Sequence, residues 1–347
     1  MRVSLPVGVA GAPTVSAVIP CFNYGHYLPQ AVASVLDQPG VAARVIVVDD
    51  CSTDDSLAVA RALAAADPRV TVLAHPQNRG HIQTYNDGLD LVDTEFVTLL
   101  SADDLVAPGA LGRAVSLMAA HPRVGMVYGQ PVEFVGEPPA GDRDGGAPYT
   151  WTRWRGTEWI RIATRRGRCF ILSPEVVMRT EAMRQIGGYN PLLPKSGDLE
   201  YWLRTATHWD VGRVNGRVQA FYRQHEANMH ATILPSMAAD YRHRLLAFRY
   251  LEGTPAAALV GRARRALARE ALGVALRELD ADGRAEVARE LRAAAVEISP
   301  AAASTRRARV LDSRLRRGST PGHRLRAAAR DLADRARWRF WVLTGVS

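Results

Sequence analysis

Apolar positions over residues 14–120 switch between two periods. Short runs that are apolar at nearly every position, "TVSAVIP" (14–20), "RVIVVDD" (44–50), "RVTVLAH" (69–75) and "FVTLLSADD" (96–104), read as buried strands. Between them lie segments of helical spacing. "YLPQAVASVLDQ" (27–38) sets Leu28, Val32, Val35 and Leu36 on one face, "CSTDDSLAVARALAAADP" (51–68) opens with Ser52, Thr53 and Asp54 as caps, "GHIQTYNDGLDLV" (80–92) follows, and a further helix covers 108–120. Strands alternating with helices at these lengths predict a parallel α/β sheet. Ligands of such sheets bind outside the carboxyl ends of the strands. Three of these strands end in polar punctuation, PCFN, DDCS and SADD, which puts all three on one rim.

The pattern then changes. Residues 133–158, rich in Gly, Pro and charge, predict a loop or insertion. From about residue 238 onward Ala, Leu and Arg recur at helical spacing, with "DADG" (280–283) as the turn between two helices, so the chain predicts an all-α extension. The domain expectation is a catalytic domain over 14–235 and a basic helical extension over 236–347.

Composition narrows the function classes. At 347 residues with 47% hydrophobic residues the chain reads as a soluble globular protein that buries a large core. No apolar run approaches the ~18 residues of a membrane-spanning helix. The N-terminal apolar stretch is broken by Pro6, Gly8, Gly11 and Pro13, and Val15–Ile19 serves better as a strand than as part of a signal peptide. Cys21, Cys51 and Cys169 stand far apart, which argues against a disulfide framework or a thiolate zinc site and fits a cytoplasmic location. The net charge of +9 is uneven: from residue 241 there are 23 Arg against 11 Asp and Glu. Basic helices ending in Trp338, Phe340, Trp341, Val342 and Leu343 suit either an anionic membrane surface, on the inner face of which the protein would lie peripherally, or docking of the aromatics on protein. The mildly acidic remainder, without a recognition motif, argues against nucleic acid as a partner.

The chemistry concentrates in carboxylates. Asp49 and Asp50 end one strand, and Asp103 and Asp104 end another. Negative charge gathered on one rim calls for a cation or a donor-rich ligand, and a hard ion such as Mg2+ or Mn2+ binds through one or two carboxylates plus waters and substrate phosphates. Downstream, Asp198 and Glu200 open "GDLEYWLR", either as caps or as a general base, and "FYRQHEANMH" offers Arg223, His225 and His230 to phosphate or metal. "GVAGAP" precedes the first strand rather than following it, so it is no phosphate loop, and GxxxxGK[ST] is absent, which weighs against a nucleotidyl- or phosphoryl-transfer enzyme.

The order of these stretches, "VSAVIPCFNYGHYLPQAVASVLDQ", "VIVVDDCSTDDS", "HPQNRGH", "FVTLLSADD", "GGYN…SGDLEYWLR" and "YRQHEANM", resembles the family 2 glycosyltransferases over residues 14–230. The resemblance implies a GT-A fold, a Rossmann-like, mostly parallel sheet flanked by helices. It also implies inverting transfer of a sugar from a nucleotide-diphosphate sugar, with Mn2+ or Mg2+ as cofactor. Carried over by position, Pro20 and Phe22 would meet the base, with Asn23 and Arg79 in the same nucleotide-binding group. Asp50 would hydrogen-bond the base, Asp103 would approach the ribose or sugar, and Asp104 and His225 would hold the metal. Asp198 would be the catalytic base, with Glu200 its competitor; Gly197 stands where the family has Glu. Family habit favours UDP, and an acceptor, lipid-linked or otherwise, in cell-surface polysaccharide or glycoconjugate synthesis. Glycosylation of a small secondary metabolite and a catalytically degenerate nucleotide-sugar-binding homologue are the alternatives.

Overall fold

The computed structural model describes residues 1–8, 11–139, 148–225 and 236–318, and beyond them 320, 322–323, 325, 328–329, 332–336 and 340. His230, Trp338, Trp341, Val342 and Leu343 lie outside the described residues. The contact pattern divides the chain into two units. The first comprises Met1–Trp159, Ile171–Pro194 and Arg204–Asn228; the second comprises Ile160–Phe170, Lys195–Leu203 and Met229–Ser347. The helical unit thus includes two earlier pieces of chain besides the C-terminal extension.

In chain order the first half contains β1 (Arg2–Ser4), β2 (Thr14–Cys21), α1 (Leu28–Leu36), β3 (Ala42–Asp49), α2 (Ser56–Ala66), β4 (Val70–Ala74), α3 (His81–Asp90), β5 (Phe96–Leu99), β6 (Leu105–Val106) and α4 (Ala110–Ala120). Then follow β7 (Val124–Phe134), β8 (Thr150–Trp154), α5 (Gly156–Arg166), β9 (Val177–Arg179), α6 (Thr180–Ile186), α7 (Gly197–His208) and β10 (Asp210–Arg223). The sheet runs β1-β8-β10-β7-β9-β5-β2-β3-β4, with β6 on β10. β5, β2, β3 and β4 are parallel neighbours, as are β7 and β10, whereas β9 runs antiparallel to both β5 and β7.

The predicted strands and helices of the first half are present with ends shifted by a few residues. Two readings change. The helix after β3 begins at Ser56, because Ser52 and Thr53 belong to the preceding turn; Asp54 does act at its start, accepting a hydrogen bond from Ser56 N at 2.9 Å. Residues 133–158 are not simply a loop: Thr150–Trp154 pair with both β10 and β1, and Trp151 is wholly buried. A strand with Thr, Arg and Trp in alternation beside a Gly/Pro-rich stretch is easily absorbed into the stretch when only composition is read.

Val15, Ala17 and Ile19 of β2 and Val45 and Val47 of β3 point into one core with Leu28, Val32 and Val35 of α1. On the other face Gly88 of α3 packs so closely that an added Cβ would stand 2.4 Å from Val18 Cγ1 and 2.8 Å from Val48 Cγ2. That close approach seats α3 directly over β2 and β3, and so fixes the loop that precedes it.

The second unit holds α8 (Met237–Arg249), α9 (Val260–Asp282), α10 (Ala285–Ile298) and α11 (Arg306–Arg317). Leu267, Leu272 and Leu276 of α9 and Leu291, Ala295 and Ile298 of α10 are buried. The turn between these helices is made by Gly283 at φ 66°, a left-handed cap that glycine adopts without strain. Asp280 is buried against Arg314 of α11, and Arg292 of α10 holds Asp312 of α11 through two bonds of 2.9 and 3.1 Å.

Gly88→Ala is expected to destabilise the sheet unit by about 1–3 kcal/mol, the usual result of overpacking. A urea melt followed by tryptophan fluorescence checks it, and an unchanged midpoint would contradict the packing of α3 on β2 and β3.

Candidate active site

β2, β3 and β5 are parallel neighbours, so their carboxyl ends share one edge of the sheet. At two of these ends the chain takes a left-handed turn on a residue other than glycine. Asn23 has φ 61° and Cys51 has φ 60°, the only such residues among those described. Strained backbone of this kind concentrates where a loop must present its atoms to a ligand. The two turns are tied together: Asn23 N donates to Ser52 Oγ at 3.0 Å, and Asn23 Oδ1 accepts from Thr53 N at 2.8 Å. The side-chain oxygen of Asn23 therefore ties its own turn to the turn after β3. Phe22 is 45% exposed, a large ring left at the edge. Pro20 lies within β2 beside Val48.

Asp50 is buried, and its carboxylate organises the next loop. Oδ1 accepts from Arg79 N at 2.7 Å and from His75 Nδ1 at 2.8 Å, and Oδ2 accepts from Gly80 N at 2.9 Å. Burial raises the Asp50 pKa, but the hydrogen bonds from Arg79 N, His75 and Gly80 N outweigh it, so the carboxyl is held below its ordinary value. The other ring nitrogen of His75 lies 3.0 Å from Asp87 Oδ2, which also receives Arg79 Nη1 at 2.6 Å. The resemblance implies that Asp50 touches the base. The structure commits three donors of its own chain to that carboxylate, because His75 and the 79–80 turn close over it. His75 and Asp87 were not singled out from the sequence. His75 opens the HPQNRGH stretch, but its pairing with Asp87 spans the loop and α3 and follows no local pattern.

The SADD turn joins β5 to β6. Asp104 is 1% exposed, and its Oδ1 accepts from Arg223 N at 2.9 Å, whereas its Oδ2 is buried without a partner. Burial and the neighbouring charge of Asp103 push the Asp104 pKa well above the ordinary carboxylate value. Asp103 Oδ2 lies 2.9 Å from His225 Nε2. The His225 ring packs against Tyr24 and Tyr27, with ring centres 5.6 Å away in each case. Burial, with Asp103 and Asp104 nearby, pushes the Tyr24 hydroxyl up to about 12. The turn thus brings two carboxylates together beside His225 and the rings of Tyr24 and Tyr27.

Arg223 does not supply positive charge to a ligand. Its guanidinium is consumed internally: Nε donates to Asp103 O at 2.9 Å, Nη2 to Gln30 Oε1 at 2.8 Å and Nη1 to Gly136 O at 2.5 Å, with the group over the rings of Tyr27 and Phe134. The residue offered by sequence to phosphate is a clamp instead.

The sheet edge therefore gathers Pro20, Phe22, Asn23, Asp50 and Arg79 on one side and Asp103, Asp104 and His225 at the turn. Asp198 and Glu200 stand in the first turn of α7. Two carboxylates and an imidazole make a hard oxygen and nitrogen donor set that suits Mg2+ or Mn2+, and the partnerless Asp104 Oδ2 is the atom that such an ion would satisfy. Among the described residues no group of three or more His, Cys, Asp or Glu is gathered so as to hold a metal ion by itself.

Comparison with known proteins places this geometry. A family model for "Glycosyl transferase family 2" matches residues 16–184. The succinoglycan biosynthesis protein ExoU of Rhizobium meliloti (strain 1021) is 40% identical over 108 residues, 31% of this chain and 31% of that protein. ExoO of the same organism is 34% identical over 110 residues, 32% of this chain and 31% of that protein. The match spans about a third of the length of these relatives. Among solved structures, S. aureus TarS 1–349 in complex with UDP-GlcNAc is similar at a TM-score of 0.62 and 16% identity, covering 89% of this chain and 93% of that one. The mannosyltransferase PcManGT from Pyrobaculum calidifontis, in complex with GDP-Man and Mn2+, is similar at a TM-score of 0.55 and 18% identity, covering 99% and 86%. The chain carries a family 2 glycosyl transferase domain, built on a GT-A fold with a helical extension.

Proposed function

We propose that this protein transfers a sugar, with inversion, from a nucleotide-diphosphate sugar to an acceptor hydroxyl in the assembly of a cell-surface polysaccharide or related glycoconjugate. The observation that carries the reading is the buried Asp104 Oδ2, left without a partner beside Asp103 at the carboxyl edge of the sheet. The names of the similar proteins support it: succinoglycan biosynthesis for two relatives, and UDP-GlcNAc or GDP-Man with Mn2+ bound in two structures of the same fold. UDP is the favoured nucleotide, on the family's habit.

In this reading Phe22 and Pro20 form the wall on which the base rests. Asp50 acts through the loop it holds, fixing Arg79 and Gly80 against the nucleotide. Asp103 receives the ribose or sugar hydroxyls, and Asp104 with His225 would hold Mn2+ or Mg2+. When bound, the ion supplies neutralisation of the charge that develops on the departing diphosphate. Asp198 takes the proton of the acceptor hydroxyl as that oxygen attacks the anomeric carbon, and the nucleotide diphosphate leaves from the opposite face. Glu200, two residues on, is the competing base.

Calorimetric titration of the protein with UDP, dTDP and GDP, each with Mn2+ and with EDTA, tests the site directly. One nucleotide should bind only with metal, and Asp104→Ala should remove that binding and lower turnover by at least ~100-fold. Absence of binding to every nucleotide with metal present would sink the reading. Asp198→Asn should leave nucleotide affinity unchanged while reducing kcat, since a base is needed only once donor is in place; a loss of affinity instead would assign Asp198 to donor binding. His75→Ala should raise the donor KM roughly tenfold with a smaller effect on kcat, as expected when a loop is misplaced rather than a reacting group lost. Equal loss in both would contradict its role as a positioning residue.

A further inference from the structure

The two sides of the sheet edge meet in a cluster of rings within the first unit. β10 ends at Arg223, Gln224 N donates to Phe134 O at 2.8 Å, and His225 is the next residue, past the strand. Side chains place its imidazole. Nε2 lies 2.9 Å from Asp103 Oδ2, the Tyr24 ring stands nearly perpendicular to the imidazole at 80°, and the Tyr27 ring is tilted to it by 32°. The centres of the three rings are 5.6, 5.6 and 5.9 Å apart. An imidazole held by two rings and a carboxylate is restrained in tilt as well as in position. Both tyrosines come from the turn between β2 and α1 that also presents Phe22 and Asn23. That turn is fixed on each side of Tyr24. Asn23 is bonded to Ser52 and Thr53, and Gly25 lies so close to the start of α2 that an added Cβ would stand 2.9 Å from Ser56 Cα. Tyr24 O accepts from Tyr27 N at 3.0 Å and from Leu28 N at 3.1 Å as α1 begins.

We infer that Tyr24 is a positioning residue for the metal side of the site: with Tyr27 it seats the His225 imidazole against Asp103, and so ties the nucleotide turn after β2 to the carboxylates after β5. That role rests on the reading of Asp104 and His225 as the groups that hold the ion. Groups that orient a metal-binding imidazole govern its affinity for the metal almost as strongly as the ligands themselves. Tyr27 has a second duty, because the Arg223 guanidinium lies over its ring at 4.4 Å and grips the Asp103 carbonyl. Tyr24 therefore isolates the seat from the clamp. Burial and the charges of Asp103 and Asp104 keep its hydroxyl protonated, so it adds no third negative charge beside the two carboxylates. The work is assigned to the ring, which is the part that faces His225.

Two readouts on the full chain test this. The first needs no metal: the ring signals of His225 in the NMR spectrum, identified by their loss in His225→Gln, should move in Tyr24→Met, which fills the space without a ring, and stay in place in Tyr24→Phe. The second is Mn2+ uptake, followed by electron paramagnetic resonance with UDP, dTDP and GDP in turn. Tyr24→Met should weaken Mn2+ binding by roughly tenfold or more, whereas Tyr24→Phe should stay within about threefold of the parent. In the double variant Tyr24→Met with His225→Gln, Mn2+ affinity should equal that of His225→Gln alone, because the ring acts only through that imidazole. A merely structural loss would add to the loss of the ligand. The role of Tyr24 is overturned by parent-like Mn2+ affinity in Tyr24→Met, by a loss in Tyr24→Phe equal to that in Tyr24→Met, or by losses that add in the double variant. A parent chain that takes up no Mn2+ with any of the three nucleotides would instead overturn the proposed function. Even then, unmoved His225 ring signals in Tyr24→Met would remove the seat.

Discussion

Burying two consecutive carboxylates is the most demanding thing this fold does, and the surrounding architecture answers to it. Like charges a few ångströms apart repel by about 4 kcal/mol at the effective dielectric of a protein edge, and Asp103 and Asp104 are 8% and 1% exposed. The turn survives because β10 arrives beside β7 and delivers Arg223 to it. The backbone N–H of Arg223 satisfies one oxygen of Asp104, and its guanidinium grips the Asp103 carbonyl, Gln30 of α1 and Gly136 beyond β7. One residue at the end of β10 therefore ties the β5 edge to α1 and β7. What it leaves undone, the second oxygen of Asp104, is the opening for a cation.

The nucleotide side of the edge rests on a different device. Asp50 gathers the donors of a loop that begins 25 residues later, and His75 is the hinge between that carboxylate and Asp87. Both ring nitrogens of His75 face carboxylate oxygens at 2.8 and 3.0 Å. Removal of the ring would take a partner from the buried Asp50 and from the half-buried Asp87 at the base of the loop. Such a loop is held from below rather than by its own sequence, and this is why a stretch as polar as HPQNRGH can keep one conformation.

Much of this was legible in advance where side chains follow a period. The β2, β3 and β5 runs are apolar at almost every position because most of their residues are buried, and their ends mark the rim. β10 was not foreseen, for a physical reason: its buried positions include Arg213, Arg217 and Gln219, which read as exposed when polarity stands for burial. Those side chains are accommodated by specific partners, Arg113 of α4 for Gln219 and Asn215, two residues on, for Arg213. The same blindness hid Arg223. Motif order located the carboxylates, but whether Asn23 or Asp50 faces ligand or protein depends on hydrogen bonds across about 30 residues of sequence, which no local pattern encodes.

The basic character of the helical unit has an uneven meaning. Within α8–α11 many arginines serve packing: Arg244 is buried between Asp240 and Glu270 on the ring of Tyr241, Arg292 holds Asp312, and Arg314 holds the buried Asp280. These pairs spend four carboxylates, Asp240, Glu270, Asp280 and Asp312, inside the helical unit. Arginine therefore accumulates in excess where acid has run out, at the exposed ends of α11 and in the segment after it.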